Sequence, residues 1–330
     1  MTTTRIGLVS RGLFAVAAAV LALAAPGRAQ QEQLSPLQQL LADFTAPPAW
    51  VDEVEVNYNT NKPWDEARRD IRPMITRGGE SARRGMKLTW LYWQKGDIGD
   101  GSAYAYNMFF GGDPLWAAAN FREMIRARLA AGNTRGMAGM VIDYSSCCNS
   151  FEDYQLALLC LTRAREYLPD PPGDGPTLAR LEETLGDTYA LMGDAPTAIE
   201  HFSKSASIYR ALTQNWIRQH LDGHLGRLQD KIDRVSRETP ELGELTDGVF
   251  TATVWGFEDD VTATVTVAGG AVTGIEIAHK ESWPQNAPVV IPEQIIAKQS
   301  LDVDAVTGAT YTSHAVINAI FRALRQAGLR

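Results

Sequence analysis

From Leu37 to about Arg237, apolar residues recur at the three- and four-residue spacing of amphipathic helices. Leu37–Phe44 is a short run of this kind. Pro63-Trp64-Asp65 places Pro at a helix start and leads into Glu66–Arg72, which Pro73 is expected to interrupt. The pairs Gly78-Gly79 and Gly111-Gly112 punctuate two further helical stretches, Ala82–Gln94 and Leu115–Ala130. The segment Glu238–Thr246, with Pro240 and Gly243, reads as a linker, and beyond it the period changes to two. Val249–Phe257, Val261–Val267 and Val272–Ile277 are β-branched strands, separated by Glu258-Asp259-Asp260 and Gly269-Gly270 turns. After Trp283, Pro284 and Pro288 come a short helix from Pro292 and a final helix from about Thr312 to Ala327. Its Val316, Ile317, Ile320, Phe321 and Leu324 share one broad face. The pattern predicts a multi-domain chain: an all-α part over 30–237, a linker over 238–246, and a small α+β domain over 247–330. In that last domain helices cover one side of an antiparallel meander.

Within the helical part, Leu185-Gly186, Tyr189-Ala190, Gly193-Asp194, Ala198 and Phe202 resemble a tetratricopeptide repeat. Small Gly186 and Ala198 let two antiparallel helices approach, and Leu185, Tyr189 and Phe202 fill the space between them. Ala157, Leu161, Ala164 and Pro169 stand at the spacing of a second helix in an earlier copy, whose first helix is Gly139–Cys148. Pro169–Pro176 is then an enlarged loop, and Leu212–Arg237 a helix that closes the stack, as solenoids require. A plain helical bundle accounts for the same periodicity.

The N-terminus is a different kind of segment. Arg5 and Arg11 precede the apolar run Leu13–Ala25, then Pro26 and the small-x-small triplet Gly27-Arg28-Ala29. That order is the one a secretory signal peptide over 1–29 requires, and the run is short of the roughly 20 residues of a membrane span. Export and a protein without an integral membrane span are the expectation, the uncleaved anchor being the alternative. The formal net charge of -8 gives no electrostatic reason to bind nucleic acid. Cys147, Cys148 and Cys160 lie in apolar, helix-like surroundings; they read as small hydrophobes, although an oxidising compartment allows one disulfide. His220 and His224 stand four apart, a ligand pair on spacing alone, although two residues do not make a metal site and the bland reading is solvated surface histidines.

Between the last two helices lies Asp304-Ala305-Val306-Thr307-Gly308-Ala309-Thr310-Tyr311-Thr312-Ser313. Small Gly308 and Ala309 leave the backbone open just before a helix, whose N–H groups and dipole suit an anion. Capping by Thr312 or Ser313 explains part of this stretch. It leaves the cluster of Asp304, Thr307 and Thr310 unexplained.

Asp304 to Thr310 resembles the flavinylation signature of the FMN-binding domain family, which occurs in extracytoplasmic subunits of sodium-translocating NADH:quinone reductase and Rnf complexes. The resemblance extends from Asp247-Gly248-Val249-Phe250-Thr251 through the strands to Ile291-Pro292. It implies one FMN joined to Thr310 as a phosphoester, with Thr307, Gly308 and Ala309 shaping the loop. It also implies that Asp304 serves recognition by a separate magnesium-dependent flavin transferase using FAD as donor. Where the family often has a Glu-Thr-Pro-Gly-like turn close to the flavin, this chain has Glu281-Ser282-Trp283-Pro284. Trp283 either stacks on the isoalloxazine or buries its indole. With Thr312 and Ser313, these residues make up the expected cofactor site. The resemblance implies a redox carrier more than a stand-alone enzyme, exchanging electrons with an unidentified partner docked on the repeats. A scaffold with a non-redox remnant, and a flavin-dependent reductase of a small substrate, are the alternatives.

Overall fold

The computed structural model describes residues 34–99, 101–168, 175–236, 242–256, 259–281, 284–306 and 309–329, and of Thr310 and Tyr311 the backbone alone. The first helices are α1 (Pro36–Asp43), α2 (Trp50–Glu53), α3 (Trp64–Thr76), α4 (Gly79–Gln94), α5 (Ser102–Phe110) and α6 (Pro114–Ala130). A capping box starts α1: Gln38 N donates to Ser35 Oγ, and Ser35 N donates to Gln38 Oε1 at 3.0 Å. Pro73 does not interrupt α3. Its ring lies at an exposed position, while Ala67, Ile71 and Ile75 form one fully buried stripe that holds the helix on both sides of it. Short α5 escapes the periodicity argument because Ser-Ala-Tyr-Ala-Tyr-Asn-Met-Phe-Phe is apolar nearly all round.

Next come α7 (Met137–Asn149), α8 (Tyr154–Glu166), α9 (Gly175–Leu191) and α10 (Ala195–Ala211). These are the two helix pairs expected of the repeats. A Cβ on Gly186 would lie 2.5 Å from the Phe202 ring, so only glycine permits this approach of α9 to α10. Asp194 caps α10, its Oδ1 accepting from Thr197 N at 3.2 Å. Pro176 belongs to α9, and 169–174 lie outside the described residues. The closing helix is not continuous. It is α11 (Asn215–Gln219) and α12 (Leu221–Val235), broken at His220.

That break separates the two histidines as well. His220 is tilted against Trp255, whereas the His224 ring stacks on Tyr209 with centroids 4.4 Å apart. His220 is an exposed surface histidine, as expected, whereas His224 is half-buried against Tyr209, so the two do not form a ligand pair. Burial, with Arg227 nearby, pulls the His224 pKa down to about 4. The three cysteines are buried free thiols, and burial pushes those of Cys147 and Cys148 well up.

The last domain is a meander of β1 (Gly248–Trp255), β2 (Asp260–Ala268) and β3 (Ala271–His279), antiparallel in the order β1-β2-β3. Val261, Ala263, Val265 and Val267 point inward from β2. Threonines occupy the outward face, where Thr253 and Thr262 hydroxyls lie 2.8 Å apart. Gly269 and Gly270 turn β2 into β3 with φ of 62° and 77°. Helices α13 (Ala287–Lys298) and α14 (Thr310–Gln326) cover the inner face. Here Pro292 lies within α13 rather than at its start, and α14 begins two residues before the expected Thr312. The expected apolar face of α14 is buried throughout. Each such side chain contributes about 1.5–3 kcal/mol, so packing, not capping, holds this helix. Leu242 and Leu245, in the segment read as linker, are buried in the same core.

The two parts are in contact on several sides. A Cβ on Gly223 of α12 would meet the Trp255 indole at 2.6 Å. Arg322 of α14 pairs with buried Asp230 of α12. The Gln285 amide donates to Ile75 O at 2.9 Å and to Phe110 O, at the ends of α3 and α5.

Candidate functional site

The signature ends on the first turn of α14. Ala309 is the N-cap residue, Thr310 the first helical residue, and among the described residues no side-chain hydrogen bond caps the helix. Ala309 N donates to Val306 O at 2.9 Å, and Ser313 N donates to Ala309 O at 2.8 Å. The first backbone N–H groups of a helix have no acceptor within it. Alanine cannot supply one from its side chain, so the positive end of α14, where Thr310 begins it, is uncapped among the described residues.

Neither hydroxyl expected to cap this end does so. Thr312 Oγ1 turns away to donate to Glu281 Oε2 at 2.8 Å, and Ser313 Oγ accepts from Val306 N at 2.9 Å. Thr312, Ser313 and Glu281 are all buried. Ser313 thereby pins the incoming loop onto the helix. Glu281 ties three segments together, because its Oε1 also accepts from Asp259 N at 3.0 Å. A Cβ at Gly256 would lie 2.5 Å from that same Oε1, so a glycine is required beside the carboxylate. Geometry makes Glu281 a clamp joining the end of β3, the start of β2 and the first turn of α14.

Of the other residues expected here, Asp304 is exposed and Ala309 is buried. Thr307, Gly308 and Trp283 lie outside the described residues, as does the side chain of Thr310. The structure adds residues that motif reading passes over. Asp259 and Gly256 stand against Glu281, and His314, one turn after Thr310, is met by Arg234 of α12 with Nη1 2.6 Å from His314 Nε2. No local pattern marks Arg234, which lies 80 residues from His314 along the chain.

An uncapped N-terminus of a long helix, entered through small residues, can take a phosphate beside Thr310, the first helical residue. The donor set fits the phosphate end of a flavin mononucleotide on this observation. Residues 256–325 match the FMN-binding domain family, and this part of the chain is an FMN-binding domain. An uncharacterized protein of Treponema pallidum (strain Nichols) is 29% identical over 111 residues, 32% of this chain and 31% of that protein. The chain thus spans about a third of the length of this relative. No solved structure matches the chain.

Proposed function

We propose that the protein is an exported flavoprotein that carries FMN covalently on Thr310 and passes electrons outside the cytoplasm. The observation that carries this reading is the open, uncapped first turn of α14, beginning at the acceptor threonine of the signature. Loading is a group transfer from FAD by a separate magnesium-dependent flavin transferase. Thr310 Oγ forms a bond to the flavin-side phosphorus as the diphosphate bond breaks; AMP leaves, and the hydroxyl proton passes to the transferase or solvent. When bound, the flavin supplies reversible uptake of electrons. The chain's own residues supply position. Thr310 tethers; Thr307, Gly308 and Ala309 give the phosphate access to backbone; Asp304 is exposed for recognition by the transferase. Glu281, Thr312 and Ser313 hold the loops beside the first turn. Trp283 would be the residue to stack on the isoalloxazine of a bound flavin.

In this reading the helical repeats dock the unidentified redox partner. Its support is a cavity of about 480 Å³ whose lining includes Tyr106, Asp143, Arg180, Tyr209, Trp216 and His224. Trp216 is 56% exposed at its edge, an aromatic anchor of the kind protein interfaces use.

The test is intact and peptide mass of protein exported in the presence of a flavin transferase. A peptide containing Thr310 is expected to carry the mass of FMN less water, and the protein to stay yellow after denaturation. Thr310→Ala is expected to remove the adduct; flavin retained through denaturation in that variant overturns the assignment.

A further inference from the structure

The helical domain closes around the cavity of about 480 Å³, which is bounded by α5, α6, α7 and α9 to α12. Protein interiors are close-packed and seldom leave a space larger than a water molecule. A volume of this size between helices falls in the range of small-molecule sites. Its walls are aromatic. Tyr106, Phe121, Tyr209 and Trp216 all line it, and the His224 ring lies flat on that of Tyr209. The Tyr106 and Phe121 rings meet edge to face with centroids 5.5 Å apart and form one corner.

One side of the cavity is polar and fixed. The Asp143 carboxylate of α7 accepts from the Tyr106 hydroxyl and pairs with Arg180 Nη2 at 3.2 Å. The same Arg180 nitrogen donates to Gly139 O at 2.7 Å. Burial pushes the Asp143 carboxyl up, with Arg180 and Tyr106 opposing, and a buried carboxylate so held in a cleft is a mark of functional sites.

The polar groups are mostly donors. Asp143, already committed, is the one carboxylate among the described lining residues, against the guanidiniums of Arg128 and Arg180. Each guanidinium carries five N–H donors and no acceptor. Arg128, in the last turn of α6, is steadied by donating from Nη1 to Arg135 O at 2.6 Å. His224 adds another donor. Arg227 Nη2 donates to its Nδ1 at 3.3 Å, and with a pKa of about 4 the ring is neutral at neutral pH, so its proton is on Nε2. The cavity thus offers flat apolar faces for a ring and donors for an anionic oxygen, inside a chain whose net charge of -8 by itself repels anions.

We propose that this cavity binds a small aromatic carboxylate, with its ring between the aromatic side chains and its carboxylate on Arg128 and Arg180. A guanidinium pairs with a carboxylate in a planar, directional way, which suits a ligand held edge-on to two arginines. The site is separate from the flavin. It uses the interior of the cavity and leaves the exposed edge of Trp216 to a docked partner.

The test is calorimetric titration of full-length protein with indole-3-acetate, and in parallel with indole-3-ethanol, which keeps the ring and lacks the carboxylate. Saturable one-to-one binding of indole-3-acetate is expected, tighter than that of indole-3-ethanol by about tenfold or more, the size of one charge-assisted hydrogen bond. Arg128→Gln is expected to remove most of that preference and to leave indole-3-ethanol affinity unchanged. Trp216→Ala, at a side chain largely in solvent, is expected to weaken both probes about threefold or more, and decides should Arg128→Gln fail to fold. Absence of saturable indole-3-acetate binding up to millimolar concentration overturns the proposal, as does binding that neither folded variant weakens. Equal affinity for the two probes overturns it as well. Protein with and without flavin is expected to bind indole-3-acetate alike. Failure here therefore leaves the Thr310 reading untouched, and absence of a Thr310 adduct leaves this site standing.

Discussion

Glu281 holds two different kinds of donor with its two oxygens, and that division predicts how it tolerates change. In Glu281→Ala the Thr312 hydroxyl and the Asp259 N–H both lose a buried acceptor. Each unsatisfied donor costs about 1–3 kcal/mol, so the unfolding temperature is expected to fall clearly. Glu281→Gln keeps a carbonyl oxygen for Asp259 N, and the Thr312 hydroxyl can rotate to accept from the new amide. That variant is expected to remain within about 1 kcal/mol of wild type by chemical denaturation. Equal loss in both would mean that the negative charge, and not the hydrogen bonds, does the work. His224 gives a pH signature of its own. Its folded pKa of about 4 lies below the ordinary 6.5, so the unfolded chain binds more protons between those values. Stability from this site is therefore complete above about pH 6.5 and lost as pH falls toward about 4, and His224→Gln should flatten that part of the profile. An unchanged slope in the variant would remove His224 as its source.

Among the helices, close approach at Gly186 makes the most direct prediction. Gly186→Val pushes a branched side chain into the Phe202 ring, whose edge stands 2.5 Å from the missing Cβ. Overpacking of this sort costs about 1–3 kcal/mol, and pairing it with Phe202→Ala should recover part of the loss. Additive losses in the double mutant would show that the two do not share one space. The same pair shows why the α9–α10 hairpin could be read from sequence: small and large residues complement each other within one local unit. The meander and the face of α14 were legible for a similar reason, since Val261 to Val267 alternate and Val316 to Leu324 follow a helical period. Elements whose limits depend on distant packing were not. Pro73 and Pro292 are local breakers, yet buried Ile71, Ile75, Ile291 and Ile295 carry α3 and α13 past them. At His220 nothing local demands a break, and tertiary contact with Trp255 accompanies one. The site divides along the same line. Thr310 and its small neighbours form a contiguous motif, whereas the Glu281 clamp and the contact of Arg234 with His314 exist only once β3, α12 and α14 have come together.

Contact between the two parts of the molecule determines how far the flavin domain can act alone. A fragment covering 242–330 retains the meander, α13, α14 and the signature, and so every residue of the proposed tether. It loses every partner supplied by the helical domain. Trp255 is uncovered where it lies against Gly223, Arg322 loses Asp230, His314 loses Arg234, and the Gln285 amide loses the carbonyls of Ile75 and Phe110. Gln285 has the left-handed φ of 47°, a conformation that costs a non-glycine residue energy unless its surroundings hold it. Small domains also bury proportionally less of their surface and start with little stability to lose. The fragment is therefore expected to fold, to unfold at a clearly lower temperature than the whole chain, and to take up less flavin under identical export and transferase conditions. Gln285→Ala in the full chain isolates one of these anchors, and should reproduce part of the loading defect while the helical domain stays folded by circular dichroism. Thermal unfolding followed at 280 nm and flavin stoichiometry by intact mass measure both effects. A fragment as stable and as fully loaded as the whole protein would mean that the helical domain serves docking alone and takes no part in forming the site.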